Sequence, residues 1–545
     1  MLAKTNPERI DNLEEARNVI QVLQNMVEEL QTVVEEQRDE IQDLKDEVNR
    51  LKGEQGKPKI KASKKEGDKN HSSEKERRKP KAWKKGEKRS KIIVHQEKKL
   101  TVEKSELPED AEFKGYAEVV VQDIVVAPNN TSFKKEKYYS PSEQKSYMAA
   151  MPLGYEGEFG PGVKTLVLAL YHGSGMSEPK ISEFLEQFDI LISDGQISNL
   201  LTKDQAVWQG EKEAIVQAGL ASTIYQHSDD TETRVNGVKH YCHILCNPYY
   251  TAFYTRPYKS RLTIIHLLQG SETLLLLLND ETQQRLNDFN IPHYAQQLIA
   301  QWPHGEMLSQ ETMTMLIERD LSHLNQQQQA RIWEAAALTA YAHQETTPLV
   351  DILLTDDAPQ FGQITPHHAL CWIHEGRHYK KLSPFIEHHR LLLDDFLSQF
   401  WQFYHSLLDY RLHPSDFDAQ RLRSRFHQLF STTTGYDLLD RRIAKTKAHA
   451  DQLLLVLDFP SLPLHNNPAE LGARQRVRKR LVSFGPRTPD GLDAWDTFAT
   501  LSETAKKLGV SFYSYLYDRV SKSYSLPSLD QLILQHASLP SSPSY

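Results

Sequence analysis

The first fifty residues carry the most restrictive pattern in the chain. Leu13, Ile20, Val27, Val34, Ile41 and Val48 recur every seven residues, and Ala16, Leu23, Leu30, Gln37, Leu44 and Leu51 form a second series offset by three. This is an a/d heptad seam. Mostly β-branched residues at a and mostly Leu at d favour a parallel two-stranded coiled coil, and Gln37, polar at d, would pin its register. The same stripe could fold back on the chain's own body, but the lysine-rich stretch that follows makes that harder. Self-association through residues 1–53, as a homodimer or higher oligomer, is the expectation.

Residues 54–100 have neither a helical nor a strand period and bury too little apolar surface to order themselves, so they read as a flexible basic arm or linker. Trp83 within KAWKK could stack on nucleic acid. This arm is hidden in the formal net charge of −8. Phosphate attraction acts locally, screened within about 10 Å at 0.1 M salt, so an acidic total does not argue against DNA. A chain of 545 residues implies roughly three or four folding units. Cys242, Cys246 and Cys371 are too few for a disulfide framework, which points to a reducing cytoplasm. No cationic leader or long apolar run suggests export or a membrane.

A run of β-branched residues (YAEVVVQDIVVAP) predicts a small β-rich unit over 101–145. Residues 146–215 read as helical, with Ser177 and Ser193 placed to cap helices. Helix, short turn, helix is compatible with a helix-turn-helix whose recognition helix follows Ser193. From about 216 to 485 the period changes: three short strands with Asn-Gly and Asn-Pro turns, a helix, a helical insertion at about 280–347, and a fourth strand, PLVDILLTDD, ending in two acids. The segment HNNPAELGARQRVRKR then opens a basic helix. A helical segment at 486–530 and a disordered tail at 531–545 complete the expected organisation.

That element order is the order of the ribonuclease H-like fold, an α/β class, here with helical insertions and preceded by a coiled coil and small DNA-binding units. In such a layout the first and fourth strands lie side by side. Asp229 is read as ending the first strand, Asp356 ends the fourth, and a helix starting near Asn466 could bring Glu470 to them. Three converging carboxylates repel one another unless cations sit between them. Hard oxygen ligands select Mg²⁺ or Mn²⁺, here two ions. Strand alternation lets only one member of each pair, Asp229 or Asp230 and Asp356 or Asp357, face the metal.

The segments SDDTETRV, LLTDDAPQF followed by CWIHEGRHY, and HNNPAELGAR together resemble the DDE transposases of the bacterial insertion-sequence-sixty-six (TnpC-type) family. FGPRTPDGLDAWDTFATLSETAKKLGV is similar to the segment that follows that family's catalytic helix. The resemblance implies an enzyme that binds the ends of its element and cleaves and joins double-stranded DNA through Asp229, Asp356 and Glu470, serving as both catalytic and metal-binding residues. It implies DNA contacts from Asn467, Arg474, Arg478, Lys479 and Arg480 on the catalytic helix. Arg377, Lys380 and Lys381 would face phosphate. A prokaryotic, nucleoid-associated cytoplasmic location and accessory proteins of the same element are further implications.

Two departures stand out: Leu471 occupies a position that is usually Arg, and no cysteine lies between the coiled coil and the catalytic region, where many members carry a zinc segment. Cys371 and His374 have metal-ligand spacing and could recruit Cys242, Cys246 and His240 or His243. Buried core cysteines are the commoner arrangement. The alternatives to a transposase are a nuclease that cuts without joining and an inactive DNA-binding protein. Three intact acids argue against the latter.

Overall fold

The computed structural model of the chain describes residues 12–52, 92–103, 105, 107–108 and 111–538. The heptad region is one continuous helix, α1 (Leu13–Leu51), started by the Asn12 side chain, which accepts from Glu15 N–H at 2.7 Å. Most of the basic arm expected at 54–100 lies outside the described residues.

The apolar run YAEVVVQDIVVAP forms neither helix nor strand, and its Val119, Val121, Ile124 and Val125 are exposed. β-propensity is realised through packing on a pleated surface, and this run has none. The strands that do form in the expected β-rich unit are a hairpin, β1 (Lys137–Ser140) and β2 (Lys145–Met148).

Helices α2 (Pro161–Leu168), α3 (Glu178–Glu186), α4 (Asp194–Thr202) and α5 (Ala206–Ala221) follow. Ser193 caps α4 by accepting from Gln196 N–H, whereas Ser177 precedes α3 without a side-chain cap bond. The buried faces of α2–α4 share a core with Ala494, Phe498 and Leu516 near the C-terminus.

The centre of the fold is a mixed five-stranded sheet. Its strands are β3 (Tyr225–Val235), β4 (Val238–Cys246), β5 (Thr251–Arg256), β8 (Ile352–Thr355) and β9 (His367–Leu370), in spatial order β5-β4-β3-β8-β9. The pairs β3–β4 and β4–β5 are antiparallel, and β3–β8 and β8–β9 are parallel. β3 does not end at Asp229, as its sequence suggested. It runs six residues further as a hairpin with β4, closed by Asn236 and Gly237, both at positive φ, as a tight two-residue hairpin turn requires.

Between β5 and β8 lie α6 (Arg261–Gln269), α7 (Asp280–Asp288), α8 (His293–Ile299), α9 (Gln310–Asp320) and α10 (Gln326–Ala342), with a small ladder of β6 (Leu276–Leu277) and β7 (Met307–Leu308). Together with α5 they bury one face of the sheet around Leu245, Tyr250, Ala252 and Leu353. The other face, with Tyr225, Ile352 and Leu354, is covered by α11 (Trp372–Lys380), α12 (Glu387–Leu412), α13 (Asp416–Leu429), α14 (Asp437–Ala448) and α15 (Ala450–Leu453). Trp372 is fully buried there among the rings of Phe400, Phe403, Phe426 and Phe430. Truncating such an anchor typically costs about 3–5 kcal/mol.

The chain ends with α16 (Asn467–Ser483), α17 (Pro489–Lys507), α18 (Phe512–Val520) and α19 (Leu529–Ser538). The tail expected to be disordered from 531 is thus helical to Ser538, because Leu529 and Ile533 are buried. Residues 539–545 lie outside the described residues. Among those described, no helix is long and apolar enough to cross a membrane.

Candidate active site

β3 and β8 pair at Tyr225–Ile352, Gln226–Leu353 and His227–Leu354. Two residues further along this register Asp229 comes level with Asp356. Side chains alternate across a sheet, so Asp229 shares the face of Tyr225 and Asp356 that of Ile352 and Leu354. Asp230 turns the other way, accepting from Gln360 Nε2 at 2.8 Å and lying 3.6 Å from Lys259 Nζ. Asp357 lies 3.8 Å from His449 Nε2. Alternation thus puts Asp229 on the face of the sheet that Asp356 shares and Asp230 on the opposite one.

Burial, and then the Asp356 charge, push the Asp229 carboxyl up to about 7; Asp230 and Glu470 push the same way, against the Asp230 N–H, which donates to it. Desolvation and like charges both disfavour the carboxylate. Glu470 is therefore electrostatically within reach of the pair, although it comes from a helix 241 residues after Asp229 in the chain.

Helix α16 is drawn to that spot by its first residues. Asn466, the N-cap and fully buried, donates from Nδ2 to Ser228 O at 2.7 Å and accepts at Oδ1 from His227 Nδ1 at 3.0 Å. Its backbone N–H donates to Cys371 Sγ at 3.3 Å. Burial holds His227 neutral, its pKa lowered to about 3, which suits an imidazole donating from one nitrogen. One turn on, Gly472 lets α16 close on β4: a Cβ there would lie 2.9 Å from Ile244 Cγ2. Further along, buried Arg476 pairs with Asp496 of α17. Asp496 in turn accepts from Thr255 N–H and Oγ1 on β5.

The CWIHEGRHY segment is the third component. Cys371 caps α11 and is buried beneath Asn466, and Trp372 Nε1 donates to Leu453 O at 2.9 Å. One turn on, Arg377 donates to both Glu470 oxygens, Nη1 to Oε1 at 3.3 Å and Nη2 to Oε2 at 3.2 Å. Arg377 Nη1 also donates to His374 Nε2 at 3.1 Å, and that nitrogen lies 3.7 Å from Glu470 Oε1. Desolvation lowers the His374 pKa, consistent with a neutral ring accepting from the guanidinium. The three cysteines are buried and free.

The basic residues expected to grip DNA divide by face. Arg474 and Arg478 are exposed and follow Glu470 at helical spacing. Lys479 points away: its Nζ donates to Tyr171 O and Met176 O, tying α16 to the helical unit, and burial lowers it to about 7. Arg480 donates to Glu232 O on the β3 hairpin. Asn467 is the first residue of α16, and Lys380 and Lys381 close α11. Sequence reasoning did not find His227 or the Arg377–Glu470 contact. His227 lies two residues before Asp229, where β-alternation puts it on the same face, so a signal was present.

Among the described residues, no three His, Cys, Asp or Glu side chains are gathered tightly enough to hold a metal as they stand. The donor set of Asp229, Asp356 and Glu470 nevertheless suits a hard divalent cation, because a cation would offset both the burial and the neighbouring negative charges that raise the Asp229 pKa. No family model matches the chain. An uncharacterized protein of Sinorhizobium fredii, y4jO, is 32% identical to it over 308 residues, which span 56% of this chain and 94% of that protein.

Proposed function

We propose that this chain, which belongs to the same family as the Sinorhizobium fredii protein y4jO, is a DNA transposase of the insertion-sequence-sixty-six type with a ribonuclease H-like catalytic domain. The strand order, with β4 antiparallel between β3 and β5 and β8 parallel to β3, supports the fold reading. One observation carries the function: Asp229 and Asp356 stand level on one sheet face, and Glu470 is near enough to raise the Asp229 pKa. Carboxylates forced together in this way commonly serve a cation and a phosphoryl group.

Asp229, Asp356 and Glu470 would hold two Mg²⁺ or Mn²⁺ ions. When bound, such ions activate a water or a 3′-hydroxyl and stabilise the leaving oxygen of an in-line displacement at phosphorus. The chain's own residues supply the rest. Asn466 fixes the start of α16 against Ser228 and so sets the reach of Glu470. Arg377 balances Glu470 until it is engaged elsewhere. Arg474 and Arg478, exposed along the same helix, neutralise backbone phosphates and hold the duplex in register. The α3–α4 pair is the candidate for reading the element ends.

The test is incubation of the protein with DNA carrying the sequences that flank its own reading frame, in Mg²⁺ or Mn²⁺, scoring nicked ends and joined products separately. Cleavage followed by joining bears the reading out. Cleavage without joining indicates a nuclease, and binding without either indicates an inactive DNA-binding protein.

A further inference from the structure

Helix α1 has two faces with opposite fates. Taking the β-branched series as a, the positions that meet the body are Gln21 (b), Asn25 (f), Glu28 (b) and Glu29 (c). Gln21 Nε2 and Asn25 Nδ2 donate to Gly435 O at 2.9 and 3.0 Å, and Asn25 Oδ1 accepts from Asp437 N–H at 3.1 Å. Glu28, only 3% exposed, accepts from the N–H groups of Phe385 and Ile386 at 3.0 and 2.7 Å and lies 3.2 Å from His389 Nδ1. Helix α12 has no side-chain cap of its own at Ile386. Glu28 therefore provides the carboxylate that helix N-termini favour, from about 360 residues away. Glu29 pairs with Arg441.

In a two-stranded coiled coil b, c and f point away from the seam. The surface used for docking is thus the one that pairing leaves free. The a/d surface remains uncovered: Ile20 is 54% exposed, Leu30 62%, Ile41 51% and Leu44 59%.

The flanking charges identify what covers it. Positions e carry Arg17, Gln24, Gln31, Arg38, Lys45 and Lys52, whereas positions g carry Val19, Met26, Val33, Glu40 and Glu47. In a parallel in-register pair each g residue meets the e residue of the next heptad across the seam, which sets Glu40 against Lys45 and Glu47 against Lys52. A fully overlapped antiparallel pair would set e against e and g against g, which brings Arg17 against Lys45 or Lys52 and turns Glu40 and Glu47 toward the apolar Val19 and Met26, with neither ion pair formed.

We infer that α1 is a two-sided bracket: its b/c/f face is latched to the catalytic body through Glu28, and its a/d face pairs in parallel with α1 of a second copy. The pairing then sets two catalytic bodies in a fixed relation, instead of tethering them loosely. This inference does not rest on the reaction proposed above, because particle mass and amide exchange test it whether or not the chain cleaves DNA.

Light scattering of the full chain is expected to give twice the mass of one copy. Ile41→Asp with Leu44→Asp, placed beyond the docked stretch, is expected to give one copy with unchanged thermal melting of the body. Lys45→Glu should weaken the dimer about five-fold, since two cross-seam pairs change at about 0.5 kcal/mol each, and adding Glu40→Lys should restore it. Glu28→Ala should keep the dimer but speed amide exchange at Phe385 and Ile386 at least ten-fold. A monomeric wild type, a dimeric seam variant, or tightening by Lys45→Glu would overturn the pairing. Unchanged exchange in Glu28→Ala would overturn the latch.

Discussion

Arg377 approaches Glu470 with both guanidinium Nη atoms, at 3.3 and 3.2 Å. The pair joins α11 to α16 across 93 residues of sequence. It also places a cation beside the acid that the proposed chemistry needs for metal. Arg377 and a divalent ion therefore compete for one carboxylate. Arg377→Ala should tighten Mn²⁺ binding to the DNA-free protein by about two- to five-fold, since a partly exposed pair is worth roughly 0.5–1 kcal/mol. Isothermal titration checks this. Weaker Mn²⁺ binding would mean that Arg377 orients Glu470 for metal and does not compete with it.

Asn466 spends both ends of its amide on β3, donating to Ser228 O and accepting from His227. Asn466→Ala would leave a buried imidazole N–H and a buried carbonyl without partners. The expected loss of stability is about 2–4 kcal/mol, read by chemical denaturation. Asn466→Asp should be no better, because it replaces the donor facing Ser228 O with a charge near Asp229. A loss below about 0.5 kcal/mol would contradict this role.

The Asp229 carboxyl, raised to about 7, makes the metal-free protein pH-sensitive in a definite direction. The unfolded carboxyl ionises near pH 4, whereas the folded one keeps its proton to about 7. The folded state therefore binds more protons between those values, and stability falls as pH rises through that window. Asp229→Asn removes the penalty. In EDTA it should raise Tm at pH 8 and change it little at pH 4, each pKa unit being worth about 1.4 kcal/mol. Equal Tm differences at the two pH values would contradict the assignment.

Gly485 holds φ at +97° while a Cβ there would lie 2.2 Å from Arg234 O. Beside it, Pro486 O accepts from Asn236 N–H at the hairpin turn. The turn after α16 thus clasps the tip of β3–β4. Gly485→Ala should destabilise the chain by more than about 1 kcal/mol, from the left-handed backbone and the clash together. Unchanged thermal melting would show that the clasp is dispensable.

The sequence and the structure agree where one local signal dominates. The heptads made α1 legible, and Asn236-Gly237 made the β3–β4 hairpin legible. Glu470 was already singled out by its Asn-Asn-Pro-Ala-Glu setting, and the start of its helix one residue after Asn466 follows from Pro468 near the helix N-terminus. What stayed hidden depends on partners far along the chain. Alternation could say that one aspartate of each pair faces inward. The choice of Asp229 and Asp356 rested on the family resemblance alone, because the β3–β8 register that sets them side by side comes from packing across more than a hundred residues. Strand β9, four residues reading HHAL, carries no alternation of its own. The YAEVVVQDIVVAP run shows the converse, strand-like composition without a neighbour to pair with. Nothing local announced that Lys479 would turn toward Tyr171 while Arg474 and Arg478 stayed exposed.

The central claim is that Asp229, Asp356 and Glu470 act as one metal-dependent centre on DNA. The most direct test is strand cleavage of DNA bearing the flanking sequences of this reading frame, in Mn²⁺, by the wild-type protein and by Glu470→Gln matched for folding and DNA binding. The account predicts cleavage by the wild type and a loss of at least about 100-fold in the variant, on the scale of removing one group from a catalytic charge site. Cleavage by Glu470→Gln at the wild-type rate would contradict it.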